Sequence, residues 1–448
     1  MQNFINYFEK HINYERLIAE IDLIKKINLL KIYLVYISFV VICSIIFSFL
    51  YIQRFPDQIE SHTYNVIIKN IPFFFGDLIY NLVYENRYIQ EINGINFHLA
   101  RHPVLPIFLA TLLKISKNFF LFVITKNIVT FTIYFIFSYI FLLNNKNKIL
   151  TFILILLVPI VIPYNLNVAL QYVYEDSLLA IIMPLLLLNL ISKNKYKSLY
   201  TSALLFLLYL IKGTTFFIIL LMPFLILFFD NKKKFSKFPL IAAISAIIIW
   251  GTFGFYKTGK FPFFHTKEST NSYHLSAVLD KNFKNYYPDA SVDMLVKYPP
   301  PHNKINSEWE FYDYYNIKNK NYLKENYAEY FLNIIIKLKF IFFGIKIDGL
   351  FLEKKLNSHY ENPIRYSSIF GKFFLNFALL IGFFALINKK HKFLRKKLEI
   401  YFFSITVLYL APFVIAWATS KHLVPLINVS MIYLIFYYCK KFNLAGKI

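Results

Sequence analysis

The stretch that decides the fold is residues 199–229, LYTSALLFLLYLIKGTTFFIILLMPFLILFF, in which two apolar runs are interrupted only by Lys212-Gly213. The first run ends at Ile211 and the second extends from Thr214 to Phe229. Apolar runs of this kind, repeated along a chain, predict helices that cross a membrane. The Lys212-Gly213 break predicts a turn between a helix that leaves the cytoplasmic side and one that returns to it.

The composition indicates the same class. Hydrophobic residues make up 57% of the 448 residues and charged residues 17%, whereas soluble proteins carry about 25% charged residues. The net charge of +24 lies mostly in short clusters between apolar runs, which is the positive-inside pattern of membrane proteins. The chain has no zinc-ligand spacing, helix-turn-helix or basic stripe interleaved with aromatics, so we expect no nucleic-acid partner.

The apolar runs predict an all-α polytopic membrane protein with ten crossings. The region from Pro103 to Leu113 enters the membrane zone ahead of the second crossing, and Tyr327–Phe343, interrupted by Lys337 and Lys339, is predicted to lie on the outer surface. The predicted spans are Ile32–Ile52, Phe119–Leu143, Leu150–Pro163, Asp176–Ile191, Leu199–Ile211, Thr214–Phe229, Pro239–Phe255, Phe370–Ile387, Leu398–Ala418 and Val424–Cys439.

The charges of the connecting segments orient these spans. Lysine and arginine cluster in every segment assigned to the cytoplasm, which predicts cytoplasmic termini in the bacterial inner (cytoplasmic) membrane. No cleavable signal is expected, because the first apolar run is long enough to span. The predicted regions are an amphipathic segment 1–31, a transmembrane region 32–255 with the first outer loop 53–103, an outer loop and interfacial helix 256–366, and the C-terminal helices 367–448.

Two acidic groups stand at predicted outer membrane boundaries, where polar side chains are costly and tend to be functional. Asp57 and Glu60 lie in FPDQIESHTY, directly after the first span; either is a general base for an acceptor hydroxyl or a solvated loop carboxylate. Glu175 and Asp176 lie in YVYEDSLL at the start of a span. There they orient an acceptor, or they only complement the helix dipole.

Three basic groups occupy the same predicted face, namely Arg101-His102, Lys212 and Lys421-His422. Each alone is explained by a side chain reaching the lipid headgroups. Together they would form a phosphate site, because arginine offers a bidentate fork and lysine a point charge.

The large loop adds aromatic and proline clusters, which form an interfacial belt or stack on a sugar ring. These clusters are Tyr286-Tyr287-Pro288, Pro299-Pro300-Pro301 and Trp309. The chain has no Walker A loop, dinucleotide turn, HExxH motif or nucleophile elbow. An activated donor is therefore expected to arrive attached to a lipid.

The order of these clusters resembles the bacterial polyprenyl-phosphate-sugar glycosyltransferases of the GT-C fold, the group of protein O-mannosyltransferases and lipid A aminoarabinose transferases. Residues 60–64, ESHTY, stand where the family has Asp-Ser-x-x-Tyr, and residues 101–106, RHPVLP, where it has Arg-Pro-Pro-x-x-Pro. Residues 421–425, KHLVP, replace its Arg-Tyr-x-x-Pro. The resemblance covers residues 57–426 and departs from the family in Glu60 for Asp and Lys421-His422 for Arg-Tyr.

The resemblance implies an inverting transfer of a sugar from a polyprenyl-phosphate lipid to a hydroxyl of a lipid, glycan or protein acceptor on the outer face. Glu60 would be the base, with Asp57 as the alternative. Glu175 or Asp176 would position the acceptor. The donor phosphate would be bound by Arg101, Lys212, Lys421 and His422.

Two other classes stay open from the sequence. A lipid-linked oligosaccharide polymerase or ligase also works on the outer face, although the loop 256–326 lacks the paired arginines expected there. A transporter or flippase would show internal repeats and mid-span polar residues, which the sequence does not. No cofactor is predicted. Divalent metal use is left open, although no His-acid ligand pattern is evident.

Overall fold

The computed structural model describes residues 29–54, 76–92, 94–115, 119–142, 148–171, 175–192, 194–230, 237–264, 305–343, 358–388, 396–415 and 420–441. These residues are predominantly helical. The amphipathic segment predicted for residues 1–31 lies outside these ranges, apart from Leu29–Lys31. Of the predicted outer loop and interfacial helix, 256–366, residues 256–264, 305–343 and 358–366 are described.

The N-terminal half is a series of apolar helices. Its members are α1 (Leu29–Arg54), α2 (Gly76–Tyr80), α3 (Val104–Ile115), α4 (Phe119–Leu142), α5 (Lys148–Leu157), α6 (Pro163–Leu170), α7 (Asp176–Ile191), α8 (Lys197–Ile211), α9 (Phe216–Asp230) and α10 (Phe238–Thr258). A π-helical turn, Asn81–Glu85, continues α2, and a 3-10 turn, Gly213–Thr215, separates α8 from α9. The predicted break at Lys212-Gly213 is confirmed, with Lys212 in an extended conformation.

The C-terminal half contains α11 (Glu308–Glu325), α12 (Tyr327–Phe343), α13 (Ser358–Ile387), α14 (Lys397–Ile415) and, after the 3-10 turn Ser420–Leu423, α15 (Val424–Lys441). Among the described residues, five helical segments are long and apolar enough to cross a membrane: Leu29–Phe49, Leu121–Leu142, Phe238–Thr258, Ser367–Ile387 and Lys397–Ile415. Further apolar helices are shorter. The chain is therefore a multi-pass helical membrane protein.

Two local structures differ from the sequence-based expectation. The stretch 164–175, predicted to be a tight loop, begins with the helix α6, because Pro163 presets the backbone of a first helical turn. The segment predicted to be the first outer loop contains an antiparallel hairpin of β1 (Gln90–Ile92) and β2 (Ile95–Phe97). A small sheet thus joins the otherwise helical fold.

A buried lysine ties α4 to α6. The ammonium of Lys126 donates hydrogen bonds to the carbonyls of Ala169 and Gln171, both at 2.7 Å. These carbonyls lie at the C-terminal end of α6, where backbone acceptors lack helical partners and a cation is favourable. The contact holds α6 in place shortly before Glu175 and Asp176.

Candidate functional site

Three charged or titratable side chains meet at one end of the bundle, which we call the site end. The ammonium of Lys212 lies 2.8 Å from Oδ1 of Asp176. Nδ1 of His422 lies 3.1 Å from both carboxylate oxygens of Asp176 and 3.1 Å from the Lys212 ammonium. The tautomer of His422 decides whether this nitrogen donates to Asp176 or accepts from Lys212. We call these three residues the buried triad.

Helix ends bring the triad together. Asp176 begins α7, Lys212 follows the last residue of α8, and His422 lies in the 3-10 turn before α15. Because α7 packs against both α8 and α15, these ends meet at one level. A carboxylate is also favourable at the N-terminus of α7, where backbone N–H groups have no helical partners.

The triad is shielded from water on one side by an aromatic ring. Phe413 of α14 stacks on His422, with ring centroids 4.5 Å apart and an angle of 23°. The Lys212 ammonium lies 5.4 Å from the centroid of the same ring. Only 1% of the Asp176 side chain and 10% of the Lys212 side chain are exposed, so the ion pair acts in a medium of low polarity.

A second ion pair lies beside the triad and is more accessible. Nη1 of Arg101 is 3.5 Å from Oε1 of Glu175, and 19% of the Arg101 side chain is exposed. The Tyr88 hydroxyl donates to the Arg101 carbonyl at 2.7 Å. Burial, reinforced by the charge of Glu175, raises the pKa of Tyr88, so this hydroxyl stays protonated as a donor.

His102, the residue after Arg101, packs against aromatic rings of α8 and α10. Its ring stacks on Trp250 with centroids 4.6 Å apart and meets Tyr209 edge-on at 5.0 Å. A Cβ atom added to Gly213 would lie 2.6 Å from Nε2 of His102. The glycine after Lys212 is therefore required by the closeness of the His102 ring, which the sequence does not reveal.

We expect Gly213→Ala to lower the free energy of unfolding by about 1–3 kcal/mol, because the added methyl overpacks the site and displaces His102. Thermal denaturation of the purified protein in detergent measures the change. In a His102→Ala background the same substitution should cost much less, since the clashing ring is gone. An equal loss in both backgrounds would show that His102 is not the cause.

Glu308 of α11 holds the backbone that leads to Arg101. Its carboxylate accepts hydrogen bonds from the backbone N–H groups of His98 at 3.2 Å and Leu99 at 3.1 Å. Phe97 packs edge-on against Phe311 of α11, with centroids 5.1 Å apart. Together these contacts fasten α11 and the β1–β2 hairpin to each other at the site end.

Replacing Glu308 with glutamine should reduce the free energy of unfolding by about 1–3 kcal/mol, because one of two buried N–H groups loses its acceptor. Limited proteolysis should then cut the segment between β2 and α3 faster. Glu310→Gln is the matched control, because Glu310 lies on the same helix but is exposed. Equal behaviour of the two variants would argue against the anchoring role.

The structure brings together some of the predicted site residues and leaves others aside. It joins Asp176, Lys212 and His422, and it pairs Arg101 with Glu175. The predicted bases Asp57 and Glu60 lie outside the described residues. The backbone of Lys421 is described in the 3-10 turn Ser420–Leu423, whereas its side chain is not. The roles assigned to these residues stay predictions.

Sequence reasoning missed Phe413, Tyr88 and Glu308. Phe413 is one of many phenylalanines in apolar runs, and nothing local marks it as a partner of His422. The start of α11 did carry a signal: in Ser307-x-x-Glu310, the serine hydroxyl accepts from the Glu310 N–H at 3.2 Å, and the Glu310 carboxylate accepts from the Asn306 N–H at 2.7 Å. This capping pattern predicts where the helix begins.

Searches of family models, curated proteins and solved structures found no match to this chain. Within the described ranges, no group of three or more histidine, cysteine, aspartate or glutamate side chains could hold a metal ion. Fold and site together define a multi-pass helical membrane protein with a buried ionic cluster at one end of the bundle.

Proposed function

We propose that the protein is a membrane glycosyltransferase of the GT-C type that moves a sugar from a polyprenyl-phosphate donor to an acceptor hydroxyl. The observation that carries the proposal is the buried triad of Asp176, Lys212 and His422. Its neighbouring ring, Phe413, lies on α14, one of the two helices that border an apolar groove. Such an arrangement suits a ligand with a charged phosphate and a long apolar chain.

The cations of the site support binding of the donor phosphate. Lys212 and His422 are buried beside each other, and Arg101 lies at the more exposed edge of the cluster. In a medium of low polarity, preorganised donors stabilise the charge that develops on a leaving phosphate. Asp176 and Glu175 hold these cations in place before the ligand arrives, as would be needed for preorganisation.

The groove supports binding of the apolar chain. It runs between α9 and α14, and it is lined by Leu221, Phe224, Phe228, Phe403, Val407 and Leu408 among others. The helix α9 follows Lys212 through the 3-10 turn, and α14 carries Phe413 five residues beyond Leu408, about 7.5 Å along the helix. Along α14, the groove therefore ends within two helical turns of Phe413, the ring that contacts Lys212 and His422.

The chemistry follows from this placement. A carboxylate, Glu60 or Asp57, removes the proton of the acceptor hydroxyl while its oxygen attacks the anomeric carbon. The bond between that carbon and the phosphate oxygen breaks, and the phosphate keeps the electron pair. Attack opposite the leaving phosphate inverts the anomeric configuration. Lys212, His422 and Arg101, with Lys421, stabilise the phosphate, and Glu175 or Asp176 orients the acceptor.

The proposal includes a membrane topology finer than the class itself. The chain crosses the bacterial cytoplasmic membrane ten times with both termini in the cytoplasm, and the site end faces outward beside the large loop 256–366. The acceptor is a lipid, a glycan or a protein on that side.

Mass spectrometry of lipid-linked sugars and outer-surface glycans tests the activity in cells with and without the gene. We expect one polyprenyl-phosphate sugar to accumulate without the gene and one glycan to lose that sugar. The wild-type gene and Glu310→Gln should restore both, and Lys212→Met should restore neither. Unchanged pools would argue against a transferase. Loss of longer lipid-linked glycans, and not of a single sugar, would indicate a polymerase or ligase. A donor trapped on the cytoplasmic side would indicate a flippase.

A further inference from the structure

The helix α12, Tyr327–Phe343, has two faces with opposite surroundings. One face packs against α13 and α14, and it includes Ile341, which is fully buried, and Lys337, of which only 1% is exposed. The other face exposes large apolar side chains. The position of α12 beside α13 and α14 indicates the surroundings of this exposed face.

The buried face is fastened to the site end of α14. The Tyr330 hydroxyl and the Lys337 ammonium both donate to the backbone carbonyl of Ile415, at 3.2 Å and 3.4 Å. Ile415 is the last residue of α14, where carbonyls lack helical partners. The middle of α12 therefore lies level with the end of a candidate membrane span.

The C-terminal end of α12 lies deeper. The side-chain amide of Asn376 in α13 donates to the backbone carbonyl of Phe342 at 3.0 Å. Asn376 lies nine residues inside the candidate span Ser367–Ile387, about 14 Å from its site end. Since the hydrocarbon core is about 30 Å thick, the last turn of α12 reaches roughly half of that depth.

The exposed face has the chemistry of a lipid-facing surface. Phe331, Leu332, Ile335 and Phe343 are 55–73% exposed. At the depth of Asn376, the neighbouring α13 also exposes Phe373 by 57%. Both helices thus expose large apolar side chains at a similar level, and exposed apolar surface of this kind is typical of contact with membrane lipid.

An exposed lysine, Lys339, lies on this face two residues after Lys337. Side chains of a helix tilt toward its N-terminus, which for α12 is the direction of the site end. The flexible stem can therefore carry the ammonium back to the phosphate groups of the lipids. This charge is compatible with a helix that enters the membrane and stops before crossing it.

We propose that α12 is a re-entrant helix that inserts from the site end to about the middle of the membrane, with its exposed face covered by lipid acyl chains. This is an alternative to the expectation of a helix lying on the outer surface, and it does not depend on the proposed transferase activity. Because Tyr330 and Lys337 hold the end of α14 two residues after Phe413, lipid contact with α12 also supports the ring that stacks on His422.

Spin labels measure the depth of α12 directly. The full chain, with Cys43→Ser and Cys439→Ser, receives one new cysteine, is labelled and is reconstituted into phosphatidylcholine–phosphatidylglycerol vesicles. Phe343→Cys is the test position, Phe373→Cys on α13 the lipid-facing reference and Lys320→Cys on the outer helix α11 the aqueous reference. We expect the ratio of oxygen to nickel-chelate accessibility at position 343 to match position 373 and to exceed position 320 severalfold. A ratio at 343 equal to that at 320 would overturn the proposal.

The unmodified chain provides a second measurement that needs no substitution. Vesicles that contain lipids with a photoactivatable carbene precursor in the acyl chain are irradiated, and the labelled peptides are located by mass spectrometry. Labels on residues 335–343 together with those on α13 support insertion. Labels on α13 with none on α12 would contradict it.

Discussion

Asp176→Asn is expected to lower the free energy of unfolding by about 3–5 kcal/mol, the loss that follows when one partner of a buried ion pair is removed. The Lys212 side chain, 2.8 Å from the carboxylate and almost fully buried, would lose its ion-pair partner. Nδ1 of His422 would also lose one of the two carboxylate oxygens that lie 3.1 Å from it. Thermal or chemical unfolding of the purified protein measures the loss.

Two further variants make this prediction specific. Asp313→Asn is the matched control, because Asp313 pairs with Lys260 at 3.3 Å while both side chains are more than half exposed; such surface pairs contribute about 1 kcal/mol or less. Adding Lys212→Met to Asp176→Asn should recover much of the stability, since no uncompensated charge remains. A double variant as unstable as Asp176→Asn alone would show that the ion pair is not the cause.

Lys212→Met is expected to have the largest effect on function, a loss of sugar transfer of about a hundredfold to a thousandfold. This is the usual consequence of removing one preorganised group that stabilises developing charge. The lysine is buried beside His422, so a methionine of similar shape preserves packing while removing the charge. The rate at which the lipid-linked donor is consumed by membranes that contain the variant measures the loss.

Stability and activity must be separated for this residue, because Lys212→Met also removes the ammonium that lies 2.8 Å from the Asp176 carboxylate. The double variant with Asp176→Asn separates them: it should regain stability and still fail to transfer. Lys260→Met provides a control at the same end of the molecule, because it removes an exposed lysine outside the cluster and should retain activity. Transfer at the wild-type rate by a stable double variant would remove Lys212 from the proposed mechanism.

The candidate site was partly predictable. The sequence marks Arg101, Glu175-Asp176, Lys212 and Lys421-His422 as polar groups at the ends of apolar runs, which is sufficient to nominate them. It does not indicate that Asp176, and not its neighbour Glu175, pairs with Lys212. That choice depends on the direction in which each side chain leaves the first turn of α7, which is set by packing against α8 and α15.

The position of α12 relative to the membrane is a second feature that the sequence pattern does not decide. The pattern of Tyr327–Phe343 predicts an apolar helix interrupted by Lys337 and Lys339, and two lysines suggest a surface position. The structure buries Lys337 against the carbonyl of Ile415 and places Phe342 beside Asn376. A lysine that finds an acceptor at a helix end no longer needs water, so the two lysines alone do not decide whether α12 lies on the surface or enters the membrane.

By itself, the sequence determined that this is a helical membrane protein, and it determined the break at Lys212-Gly213. Both depend on hydrophobicity and backbone preference, which are properties of consecutive residues. Only the tertiary structure decided that Asp176 meets Lys212, 36 residues away, and His422, 246 residues away. The physical reason is that the packing of helices distant in sequence sets which helix ends become neighbours, and burial there turns separate boundary charges into one ionic cluster.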